Sequence, residues 1–162
     1  MPTLRHRVAR MVERHLDEIL DLSMQAFISE LEVVRDATED ELRRTRASVR
    51  TAILAFLGLY AGPSSPSRGL LEEARRATVA RAGEMYERED IVTMLRIARQ
   101  VVYTSAHRYA AEELDAVATA EIDAALDAFM DELERDERAI EPGLDAVREL
   151  LRSVESEDPD LA

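Results

Sequence analysis

The side chains best suited to chemistry in this chain share one helical stripe: Arg96, Arg99, Tyr103 and His107. Steps of three and four residues keep them on one face of a helix. Arginine offers a planar fork of donors that fits a carboxylate or phosphate, and tyrosine adds a flat surface with a polar tip. This stripe is the candidate ligand- or partner-binding site. The competing expectation is that its residues face solvent, or pair with acids of segment 113–137 within the chain or across a dimer.

Other chemistries find no support. There is no cysteine, so thiolate and disulfide chemistry are excluded. The three histidines, His6, His15 and His107, form no Glu-x-x-His pair and no His-x-x-x-His spacing. No metal and no cofactor is therefore expected, haem included, because a lone helix histidine is usually an ordinary side chain. Neighbouring acids such as Glu112 with Glu113, or Asp131 with Glu132, are what a solvated helix face supplies. Ser64 and Ser65 lack the strand–turn–helix setting of a nucleophile elbow, and no Gly-rich phosphate loop occurs. The chain reads as non-catalytic.

The elements that position the stripe read as helices throughout. Ala, Leu, Glu and Arg dominate, and all are strong helix formers. Only 5 Gly and 5 Pro occur, four of them between Gly62 and Gly69, so long stretches carry no breaker. Val8, Val12, Leu16, Leu20, Met24, Phe27, Leu31 and Val34 predict helix over 4–35, with a bend near Leu22 and Ser23. Thr38 followed by Glu41 predicts a capping box for a helix ending near Tyr60. Segment 62–67 is the one clear loop, and Ser67 is expected to cap a helix to about Met85 with Ala74, Thr78 and Ala82 inside.

The stripe's own helix spans about 88–110, where Ile91, Met94, Leu95, Ala98, Val102, Ala106 and Tyr109 form a separate core face. A helix over 113–137 follows, with Leu114, Ile122, Leu126, Phe129 and Leu133 inside. Pro142 suits the first turn of a short final helix. The expected fold is all-α, a single-domain bundle of six or seven helices over 1–154 with an acidic tail at 155–162.

A chain of 162 residues makes one domain and can bury roughly 68–70% of its unfolded surface without staples. Its net charge of −13 is unevenly placed: residues 112–162 hold 18 acids and 4 Arg, a balance of −14. Such a surface repels polyanions, so no nucleic acid and no anionic membrane is expected as a partner. The Arg43, Arg44, Arg46 and Arg50 cluster is offset by Glu39, Asp40 and Glu41. No apolar run reaches 18 residues and the N-terminus lacks a signal-peptide core, so a cytoplasmic location is expected. Wide apolar stripes suggest a homodimer, through Leu144, Val147, Leu151 and Val154 or through the first helix.

One resemblance sharpens this. D-I-V-T-M-L-R-I-A-R-Q-V-V-Y, residues 90–103, resembles the D-x-x-x-A-Y-R-I-x-x-x-x-x-W helix in N-terminal domains of PucR-type transcriptional regulators. It is also similar to the helical N-terminal domain of the RsbR/RsbRD stressosome co-antagonists. Arg96 stands at the family's Arg, and Tyr103 stands where Trp is usual. D-E-L-R-R-T-R-A-S-V-R-T-A-I-L-A-F-L, residues 40–57, resembles a second conserved helix, and the likeness covers about 5–138. Met85-Tyr86-Glu87-Arg88 replaces the Gly-Val-Pro type turn often found before the helix. The resemblance implies a regulatory module for signal input or protein interaction, and carries over no catalytic residue. With no DNA-binding or output domain in the sequence, a free-standing module or a fragment is expected, acting on a copy of itself or a separate regulatory protein. The alternative is a small-molecule sensor with a pocket beside helix 88–110.

Overall fold

The apolar pattern over 4–35 folds as three helices: α1 (Leu4–Arg14), α2 (Leu16–Glu30) and α3 (Glu32–Arg35). The computed structural model describes residues 3–62, 68–114 and 117–157, and of residues 68, 70, 71 and 141–157 the backbone alone. No bend occurs at Leu22 and Ser23. Ser23 is fully buried and its hydroxyl donates to the Ile19 carbonyl at 2.8 Å, inside an unbroken helix. The first break falls instead at His15, with φ −103° and ψ 16°. Its ring stacks on Tyr109 at 3.6 Å between centroids, and its Nε2 meets Glu113. A contact with a distant helix thus sets a break that no Gly or Pro announces. The second break, at Leu31, is extended, and Arg35 donates back to the carbonyls of Ile28 and Ser29 at 3.1 and 2.9 Å.

The capping box forms as its residues imply. Thr38 Oγ1 accepts from the Glu41 amide at 3.1 Å, and the Glu41 carboxylate accepts from the Thr38 amide at 2.8 Å. Two otherwise orphaned donors are satisfied at the start of α4 (Glu39–Ala61). Of the expected loop over 62–67, Gly62 is the C-cap of α4, while residues 63–67 with the Ser67 cap lie outside the described residues. Then come α5 (Arg68–Met85), α6 (Arg88–Glu113) and α7 (Thr119–Glu157). Pro142 begins no separate helix: α7 runs through it to Glu157. A proline forfeits one helix bond, and the strong helix formers on both sides outweigh that loss.

Among the described residues the fold is seven helices and no strand, an all-α domain. α6 is central, packing on α1, α2, α5 and α7, while α4 packs on α1, α2, α5 and α7. The core has two lobes. One gathers Met11, Val12, Leu20, Phe56, Tyr60 and Phe129 around the C-terminal half of α6. Phe129 meets the rings of Phe56 and Tyr60 edge-on at 5.4 and 4.9 Å, a favoured geometry for aromatic pairs. The other gathers Phe27, Val34, Val79, Ile91, Met94 and Ile140 around its N-terminal half. Val49 and Val101 touch both lobes.

Candidate functional site

The predicted stripe on α6 is divided between solvent and contacts with α7. Arg96 is exposed and makes no hydrogen bond or ion pair among the described residues. Arg99, one turn on, is largely buried and its Nη1 donates to the Glu137 carboxylate of α7 at 2.5 Å. The Tyr103 hydroxyl donates to Asp127 of α7 at 3.2 Å, and its ring meets His107 edge-on at 4.6 Å. Burial and the nearby Asp127 push the Tyr103 hydroxyl pKa up. Two of the four residues therefore pair with acids of the 113–137 segment, while Arg96 stays in solvent.

Beside α6, and between the two core lobes, lies a cavity of about 110 Å³ walled by α2, α4, α5, α6 and α7. Phe27, Ile53, Phe56, Val79, Met94 and Val102 give it a mostly apolar surface. An engineered apolar cavity of about 150 Å³ takes benzene, so this one holds a molecule of slightly smaller order. Its polar edge consists of Thr45, Ser48, Thr78, Tyr86, Arg99, Asp136 and Glu137. The Thr45 hydroxyl donates to the Glu41 carbonyl, so the Tyr86 hydroxyl is the donor in the short bond between the two. Thr78 donates to the Ala74 carbonyl.

Two buried ion pairs stand at this edge. Arg75 of α5 pairs with Asp136, and Arg99 of α6 with Glu137, so adjacent α7 residues hold two different helices. Burial raises the Asp136 pKa, outweighing the opposing pull of Arg75. The Nε atoms of Arg75 and Arg99 are buried and meet no acceptor among the described residues. The sequence reading missed Arg75. Ala74, expected inside α5, is exposed, whereas Arg75 is only 6% exposed. The signal was present: Arg75, Thr78, Val79, Ala82 and Tyr86 step by one to four residues along one face. Asp136 and Glu137 likewise fall between Leu133 and Ile140 on the α7 stripe.

Among the described residues no group of three or more His, Asp or Glu side chains could hold a metal ion. None of their helices is long and apolar enough to cross a membrane. Against known proteins, residues 17–135 match the family model of the RsbT co-antagonist protein rsbRD N-terminal domain. The chain belongs to that family. No curated protein and no solved structure matches it. The rsbRD N-terminal family is one of stress-signalling regulatory domains. In this rsbRD N-terminal domain the match ends one residue before Asp136, so both cavity carboxylates and Ile140 lie just beyond it.

This rsbRD N-terminal domain also carries a surface cluster that sequence reasoning did not find. Glu113 accepts from Arg14 and pairs with His15, each at 2.5 Å, which holds its carboxyl below the usual range. Glu18 accepts from the Tyr109 hydroxyl and, at 2.6 Å, from Arg108, and is lowered in the same way. The stacked His15 and Tyr109 rings lie between these pairs, fastening α1 and α2 to the end of α6.

Proposed function

We propose that the domain is a signal-input module in which the cavity beside α6 receives a small, mainly apolar molecule and α7 relays its presence. The observation that carries this reading is the cavity wall itself. It includes Leu133, Asp136, Glu137 and Ile140 of α7, and the helix continues 17 residues past Ile140 to Glu157. At 1.5 Å per residue that is about 25 Å of rigid lever. A molecule that binds one placement of α7 better than another shifts the populations by that difference in affinity. Ala98 lines the cavity and is buried, so Ala98→Leu would fill it. Xenon should raise the melting temperature of the wild type and not of Ala98→Leu. An equal rise in both would refute binding at this cavity.

A second reading, protein interaction, is favoured by the exposure of Arg96 on α6 and of Leu22, Ile28 and Val33 on α2 and α3. The apolar stripe of α1 is used inside the chain, where Val8, Met11 and Val12 are fully buried. The side chains of Leu144, Val147, Leu151 and Val154 lie outside the described residues. In this reading the domain is cytoplasmic, pairs with a copy of itself or a separate regulatory protein, and avoids nucleic acid because of its net charge of −13. Arg96 would meet an acidic group of the partner. Sedimentation showing only an 18.3 kDa species at high micromolar concentration would reject the homodimer.

A further inference from the structure

We infer that the domain's ligand is a short monocarboxylate. Its hydrocarbon tail fills the cavity beside α6, and its carboxylate lies in an adjoining groove between α4 and α5, against Arg81, Arg44 and Ser48. This rests on the cavity reading above and deepens it by naming the ligand's chemistry.

Four observations lead here. First, the two spaces adjoin. A groove of about 240 Å³ lies between α4 and α5, and it shares Ser48, Thr78 and Met85 with the cavity as lining residues. Met85 is long and unbranched, a side chain that shifts readily to let an alkyl chain pass. Second, the two spaces differ in character. The cavity wall is mostly apolar, whereas the groove carries Arg44, Arg81 and Glu84. A molecule apolar at one end and charged at the other matches both. Third, the groove's donors are open to a ligand. Arg81 is exposed and makes no hydrogen bond or ion pair among the described residues. Arg44 meets Asp40 at 3.2 Å, but both side chains are exposed, and such a pair contributes little. Thr51 and Thr78 donate to carbonyls of their own helices at 3.0 and 2.8 Å. The half-buried Ser48 hydroxyl makes no hydrogen bond among the described residues. Fourth, the charge has the right sign and size. Arg44 and Arg81 against Glu84 leave one positive charge, which a monoanion balances and a dianion exceeds. Residues 1–111, which supply both walls of the groove, hold 17 Arg and 16 acids, so the excess negative charge of the chain falls in the remainder. A void of about 150 Å³ takes the six carbons of benzene, so one of about 110 Å³ suits a tail of about four.

The test compares three probes on the full chain by amide-shift titration at pH 8. Pentanoate carries the tail and one charge, pentan-1-ol the same chain without charge, and butyl phosphate a dianionic head. Arg44→Gln/Arg81→Gln removes the groove's cations. Both side chains are exposed, so the fold is expected to survive. This variant should raise the pentanoate Kd about tenfold, the worth of one charge-assisted hydrogen bond. The pentan-1-ol Kd should stay within about twofold. Butyl phosphate should bind more weakly than pentanoate. Ala98→Leu should abolish binding of both five-carbon probes, and xenon competition in the wild type decides the same point should that variant fail to fold. A pentanoate Kd unchanged in the double variant, or butyl phosphate binding more tightly than pentanoate, overturns this inference while leaving an apolar ligand cavity in place. Failure of both pentanoate and pentan-1-ol to bind, or binding of both that neither Ala98→Leu nor xenon disturbs, overturns the cavity reading as well.

Discussion

Arg96 and Arg99, three residues apart on α6, show how little a residue's type alone decides. Arg99 faces α7 and is held by Glu137, while Arg96 projects into solvent without a partner among the described residues. Arg96→Ala is therefore expected to change folding stability by no more than about 0.5 kcal/mol in thermal or urea unfolding, as for most surface substitutions. Glu113 is different, because His15 and Arg14 hold its carboxyl below the ordinary glutamate range. The unfolded chain then takes up that proton first. The stabilisation is fully present above the ordinary glutamate range and is lost as pH falls through the lowered folded value. Glu113→Gln should lower the melting temperature at pH 7 and flatten its fall between neutral and strongly acid pH. A variant whose acid limb is as steep as the wild type's would contradict this.

At the scale of elements, local signals set helix starts and tertiary contacts set helix breaks. The capping box at Thr38 acts within four residues, and Thr38→Ala should cost about 1 kcal/mol in urea unfolding. The break at His15 was not legible, because its contacts with Tyr109 and Glu113 span more than ninety residues of chain. The continuation of α7 through Pro142 was misread for a related reason. A proline can open a helix or interrupt one, and its spacing does not say which. The buried pair of Arg75 and Asp136 ties α5 to α7. Arg75→Met leaves the Asp136 carboxylate buried and alone, and should lower stability by about 3–5 kcal/mol. Arg75→Met/Asp136→Leu should recover most of that loss in the same unfolding measurement, and a double variant no better than the single would refute the ionic account.

Across the whole molecule, two core lobes meet along α6 and leave the cavity between them. Phe129 sits at the centre of the first lobe, fully buried against Phe56 and Tyr60. Phe129→Ala should reduce the unfolding free energy by about 3–5 kcal/mol by chemical denaturation, the usual range for truncating a core phenylalanine. The all-α class, the core face of α6 through Ile91, Met94, Val102 and Tyr109, and the capped start of α4 were determined by the sequence alone. Helical periodicity and capping are written in residues three or four apart, so they need no knowledge of the rest of the chain. The cavity, the burial of Arg75 and Arg99, and the choice of Asp136 and Glu137 as their partners were decided only by the tertiary structure. A stripe says which side of a helix is covered but not by what, and a void exists only where several helices from distant parts of the chain fail to fill the space between them.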